Sequence, residues 1–223
     1  MAPLVAAGLN IILFLGSVRQ PRNADRVLKL VQDRLEERSI NVTVFDALKL
    51  EFDKVIKPIQ YYNKSEIVPE NILALNQQIK DADAFVVLTA EYHGSIAPGL
   101  LNLMNQFPPN SYAFRPSAVV SYSKGRFGGV RAAMQLRSFL SDLGLIQVPS
   151  LVAIPKVEEV VTPDGTTKDE SLLSGLDAAL DQLIWFAEAI KLQRKNYGLR
   201  CVDCFDDTNL GYKGLPYKNK KWS

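Results

Sequence analysis

Short apolar runs alternate along the chain with longer amphipathic stretches, and this alternation predicts the elements. Residues 10–15, Asn-Ile-Ile-Leu-Phe-Leu, form a continuous run ended by Gly16, as a strand buried on both faces would. Over residues 24–38, Val27, Leu28, Leu30, Val31 and Leu35 recur at helical spacing among charges. Residues 42–45 give a second strand between Asn41 and Asp46. Residues 48–69 carry prolines and Gln60-Tyr61-Tyr62-Asn63, so they read as a long excursion before a helix over about 70–80. Residues 84–89 form a third strand and 98–107 a short helix opened by Pro98, in a first turn where its missing N–H does no harm. Residues 117–121 are a fourth strand, 130–143 a helix closed by Gly144, 151–154 a fifth strand, and 172–193 a long final helix.

Five strand-length runs, each followed by a helix, predict an α/β fold with a five-stranded parallel sheet and helices on both faces. In such sheets ligands bind beyond the carboxyl ends of the strands. The chemically suggestive residues should therefore follow strands one, three and four, and they do. No repeat or linker suggests a second domain, so one domain over residues 1–195 is expected, with a tail, 196–223, of no assigned role.

Each of these three loops admits two readings. After the first strand, Gly16-Ser17-Val18-Arg19-Gln20-Pro21-Arg22-Asn23-Ala24 opens a helix. Backbone N–H groups, Ser17 and the Arg19 fork suit one terminal phosphate; a capped turn with a surface arginine suits the residues equally well. Neither G-x-G-x-x-G nor G-x-x-x-x-G-K-[ST] is present. After the third strand, Ala90-Glu91-Tyr92-His93-Gly94-Ser95 places a carboxylate, a ring and an imidazole in a turn. Tyr92 could pack on a flat ligand ring, whereas His93 reads better as a loop histidine than as a catalyst. Structural hydrogen bonding is also the better reading of Glu91 beside Tyr92 than acid–base work. After the fourth strand, residues 121–129 include Gly125, Gly128 and Gly129. They could bring backbone N–H groups close to a ligand, or simply form a turn.

Composition narrows the field. The chain has 223 residues, 26 basic against 24 acidic, for a net charge of +2, which is no field for nucleic acid or a membrane surface. Lys218-Asn219-Lys220-Lys221 reads as a solvated tail. Cys201 and Cys204 lie far from His93, the single histidine, so they read as incidental rather than as a metal or redox pair. With no spanning stretch and no leader pattern, the expectation is a cytoplasmic protein that binds no metal.

The three loops together resemble the NADPH-dependent FMN reductases and their quinone- and azo-reducing relatives. Gly16-Ser17-Val18-Arg19, Glu91-Tyr92-His93-Gly94-Ser95 with Pro98-Gly99, and residues 121–129 carry the likeness, which runs over about residues 8–193. Members of that family typically show Pro-Glu-Tyr-Asn-Gly-Ser at the second loop, so Ala90 and His93 are departures. Pro21-Arg22 is a third, standing where a small hydroxyl residue often helps to bind phosphate.

The resemblance implies a flavodoxin-like domain with strand order 2-1-3-4-5. It implies that Ser17, Arg19 and Asn23 hold the FMN phosphate, that Glu91, Tyr92, His93 and Gly94 line the ring and ribityl chain, and that Ser121 and Gly125 border a third contact. It further implies hydride transfer from NADPH or NADH through FMN to a small acceptor by a ping-pong scheme, with no catalytic side chain required, in a homodimer or homotetramer. Arg115 or Arg126 is expected at the donor's phosphates, and Tyr61-Tyr62 at a subunit contact. A flavodoxin-type electron carrier and a flavin-regulated interaction module are the alternatives.

Overall fold

The computed structural model describes residues 8–63 and 65–198. Strands β1 (Asn10–Leu15), β2 (Asn41–Asp46), β3 (Ala84–Tyr92), β5 (Pro116–Tyr122) and β6 (Ile146–Ile154) form a parallel sheet in the order β2-β1-β3-β5-β6. This is the expected 2-1-3-4-5 order. The sixth strand, β4 (Ser95–Ile96), pairs antiparallel with the end of β3 and shifts the numbering. Two residues are too short to register as a hydrophobic run.

Alternation along the strands divides the core. Leu13, Leu15, Val86, Leu88, Val120 and Tyr122 face α1 (Ala24–Glu36) and α7 (Glu170–Tyr197). Ile12, Phe14, Phe85, Val87 and Val119 face the other layer, from α2 (Glu70–Asp81), α3 (Pro98–Met104) and α5 (Val130–Asp142). Both sheet faces are thus covered by helices, which is why the strands read as continuous apolar runs. Two short helices, α4 (Pro109–Tyr112) and α6 (Val157–Val160), were not legible from periodicity, because one turn carries no repeat.

The excursion between β2 and α2 is held to the fold chiefly by α3. Asn102 Nδ2 donates to the Asp53 carbonyl at 3.1 Å and its Oδ1 accepts from Val55 N–H at 2.8 Å. Register places Leu15, Asp46, Tyr92, Tyr122 and Ile154 at one end of the sheet, so the loops that follow them share one rim.

Candidate functional site

The first loop is set by close packing and a buried ion pair. A Cβ on Gly16 would lie 2.4 Å from Leu100 Cβ, and one on Gly99 would lie 2.8 Å from the Gly16 carbonyl oxygen. Glycine at both positions lets the loop backbone rest against the start of α3. Arg22 donates to the Ser17 carbonyl at 2.7 Å and to both Asp46 oxygens, at 2.9 and 2.5 Å. The Asp46 and Asp25 carboxylates push the Arg22 guanidinium still further up, against the cost of burial. Arg22 is thus neutralised within the fold.

What remains at this loop is a row of backbone donors. The N–H groups of residues 17–20 and 22–26 donate to no acceptor among the described residues, and Asn23, at the N-cap of α1, makes no side-chain cap bond. The Asn23 amide is turned away, donating to Glu158 at 3.1 Å. By contrast α7 is capped by Asp169, which accepts from Leu172 N–H at 3.0 Å. An uncapped helix start with several unused N–H groups favours an anion.

β3 delivers its last residues to opposite faces. Tyr92 points to the α1 side, where its hydroxyl lies 3.0 Å from Ser17 Oγ and its ring lies under the Arg19 guanidinium, 3.7 Å from the centroid. Glu91 points to the α5 side and grips Arg131, accepting from its Nε at 2.9 Å and from its backbone N–H at 3.2 Å. Arg131 hydrogen bonding, assisted by N–H groups at the start of α5, holds the Glu91 carboxyl below its usual range despite partial burial. Glu91 is therefore a cap for α5 drawn from a distant strand, and it stays ionised.

His93 and Gly94 are the two residues of the β3–β4 turn, with φ of 51° and 74°. Positive φ at both central positions is what a type I′ hairpin turn requires. His93 is exposed. The turn is braced by Gln135, which donates to the Gly94 carbonyl at 3.0 Å and accepts from Ser95 Oγ at 2.8 Å.

The loop after β5 offers a second row of donors. The N–H groups of residues 124–129 have no acceptor among the described residues. Buried Ser121 faces inward and donates to the Gly128 carbonyl at 2.9 Å, fastening the loop. Gly128 and Gly129 have φ of 61° and 81°, and a Cβ on either would lie 2.9–3.0 Å from backbone atoms of the neighbouring strands. A Cβ on Gly125 would make only an ordinary contact, with Ser123 Oγ at 3.8 Å. Phe127 projects from this loop half-exposed, beside the Arg126 guanidinium.

The rim therefore brings together Ser17, Arg19, Asn23, Glu91, Tyr92, His93, Gly94 and Gly125, with Ser121 beneath. Arg115 is a correction. It lies buried at the opposite end of the sheet, donating to the carbonyls of Ala82 at 2.7 Å and of Ser111 and Ala113 at 3.1 Å. Burial pushes its guanidinium down to about 10, and it cannot reach a ligand at the rim. Arg131, Gln135 and the Arg22–Asp46 pair went unnoticed in the sequence. Arg131 had one usable signal, a cation just inside a helix that opens on Gly-Gly. Cys201 and Cys204 lie outside the described residues. Among those described, no group of His, Cys, Asp and Glu could hold a metal, and no helix is long and apolar enough to cross a membrane.

Fold and site together define a doubly wound α/β protein whose carboxyl rim presents two donor-lined loops around a tyrosine hairpin. The sequence profile of the family described as NADPH-dependent FMN reductase matches residues 9–159, and the chain belongs to that family. It is 28% identical over 134 residues to a quinone reductase of Escherichia coli strain K12, covering 58% of this chain and 71% of that one. To the NAD(P)H:quinone oxidoreductase of Solanum tuberosum it is 32% identical over 153 residues, covering 63% and 75%. A solved structure of the flavoenzyme NAD(P)H:(acceptor) oxidoreductase from Paracoccus denitrificans shares the fold, with a TM-score of 0.62 at 21% identity over 81% of this chain and 98% of that one.

Proposed function

We propose that this chain is an FMN-dependent NAD(P)H oxidoreductase that passes electrons, by ping-pong hydride transfer, to a small acceptor such as a quinone, a free flavin or an azo compound. The observation that carries the reading is the pair of unused N–H rows, after β1 and after β5, on either side of the Tyr92–Gly94 hairpin. Those rows fit a phosphorylated flavin: the α1 start suits the phosphate, and residues 124–129 suit the polar edge of the ring. FMN, when bound, supplies the ring that accepts hydride from a nicotinamide and yields it to the acceptor.

In this reading Arg19, Ser17 and the N–H groups of 17–26 hold the phosphate, Asn23 through its backbone. Tyr92, His93 and Gly94 form the wall beside the ring and ribityl chain. Glu91 and Ser121 act one step back, fixing α5 and the glycine loop in place. Gly125, with no side chain to intervene, lets donors approach closely. Arg126 is the cation left on the rim for the donor's phosphates. No side chain need carry a proton in the hydride step. A homodimer or homotetramer is part of the proposal, supported by Trp185 and Leu192, both exposed on α7. So are a cytoplasmic location and a single domain over 1–195.

Anaerobic mixing with NADPH tests the reading. Purified protein reconstituted with FMN should show the yellow absorption of the oxidised flavin, bleach on NADPH addition, and recover its colour when a quinone is added. A bound flavin that keeps its spectrum under NADPH would point to an electron carrier and overturn the reductase reading.

A further inference from the structure

Tyr122, the last residue of β5, carries a buried phenol whose hydroxyl has no hydrogen-bond partner among the described residues. The residue is only 3% exposed and its ring packs in the core between the sheet and the α1–α7 layer. Phenylalanine would fill that apolar space without leaving a desolvated polar atom unpaired. An orphan of this kind calls for a physical reason.

Its surroundings supply one. Burial pushes the Tyr122 hydroxyl well up, and Ser17 is the neighbour that opposes this most, followed by Arg22. The hydroxyl thus stays protonated, a donor with Ser17 of the first loop as its neighbour. Ser17 is itself 3% exposed, with Oγ already 3.0 Å from the Tyr92 hydroxyl. A serine hydroxyl has one proton to give and two lone pairs to fill. Two phenols and one serine therefore meet under a helix start whose N–H groups are unused.

We propose that Tyr122 is a positioning residue of the phosphate seat. When a phosphate binds, its phenol, unpaired in the phosphate-free protein, turns to donate to Ser17 Oγ alongside Tyr92, leaving the serine's own proton to point at a phosphate oxygen. Tyr122 thereby sets the preference for a phosphorylated flavin over an unphosphorylated one. The inference rests on the FMN reading above and goes beyond it, because it assigns discrimination to a residue that never touches the ligand.

The test compares wild type with Tyr122→Phe for FMN and riboflavin, by quenching of flavin fluorescence. FMN affinity should fall about fivefold, the weight of one ordinary hydrogen bond, while riboflavin affinity is unchanged. The melting temperature of the flavin-free variant should equal or exceed that of the wild type, since an unpaired hydroxyl is removed. Equal factors for the two flavins, or a lower melting temperature without flavin, would overturn the proposal. Inorganic phosphate gives a readout that needs no flavin: it should raise the melting temperature of the wild type more than that of Tyr122→Phe. That difference in a protein that never retains FMN would leave Tyr122 its role and remove the proposed function. Equal phosphate effects would remove the role of Tyr122 whatever the flavin does.

Discussion

Arg22 and Asp46 form a two-pronged ion pair at 2.9 and 2.5 Å, with each side chain only 2% exposed. The pair ties the first loop to the end of β2, and Asp46 also accepts from Leu48 N–H at 2.9 Å. Arg22 is thereby a fastener of the loop, which leaves Arg19 as the cation available to a ligand there.

Breaking the pair from one side should be costly. Arg22→Met leaves a buried carboxylate without its counterion and should lower unfolding stability by about 3–5 kcal/mol in urea titration. A loss below about 1 kcal/mol would mean that water reaches Asp46 freely.

The same pair contributes to acid sensitivity. Burial raises the Asp46 carboxyl, but hydrogen bonds from Arg22 and Leu48 and the Arg22 charge outweigh that and hold it below its usual range. A carboxyl depressed in the folded state stabilises fully above its unfolded value, about 3.9, and loses that contribution as pH falls through the folded value. Asp46→Asn should be less stable at neutral pH, yet its stability should fall less steeply than that of the wild type below about pH 4. Parallel acid limbs in the two proteins would contradict this.

Glu91 and Arg131 separate a cap from a salt bridge. Arg131 is 60% exposed, so the charge pair alone contributes at most about 1 kcal/mol. The cap on the α5 N–H groups should matter more. Glu91→Ala is expected to cost about 1–2 kcal/mol, and Arg131→Ala less than 1. Chemical unfolding of both variants decides the order, and a larger loss from Arg131→Ala would reverse the assignment.

The sheet order and rim were legible because they follow from buried strands and short loops. The apolar runs within residues 10–15 and 84–89 could not be half-exposed strands, and the connections to α1 and α5 had to land on one edge. The partners of Glu91 and Ser17 were not legible. Arg131 lies forty residues after Glu91 and Tyr92 seventy-five after Ser17, and only the parallel register of β3 against β1 and β5 brings them together. The place of Arg115, by contrast, is legible in the sequence. It precedes β5 by one residue, so chain direction alone places it at the amino end of the sheet, away from the rim.

The glycines of the third loop looked alike in sequence and differ in space. Gly125→Ala should leave stability within about 0.5 kcal/mol of the wild type, because its nearest contact would be Ser123 Oγ at 3.8 Å. Gly129→Ala combines positive φ with a Cβ 3.0 Å from the Tyr122 backbone and should cost about 2 kcal/mol or more. Thermal unfolding of the two variants is sufficient to compare them.

His93 sits where a left-handed backbone is needed, followed by a glycine that also has positive φ. Asparagine reaches that region more readily than most residues and, before glycine, makes the favoured type I′ turn. His93→Asn should therefore raise stability slightly, by about 0.5 kcal/mol, without disturbing the Gln135 brace, which contacts Gly94 and Ser95 rather than His93. If the imidazole serves only the turn, the variant should also keep the wild-type rate of flavin reduction by NADPH and the wild-type pH profile. A His93→Asn protein that folds with unchanged or higher melting temperature yet loses that pH dependence would show that the ring does acid–base work. The hairpin would then have to be treated as catalytic rather than as a wall.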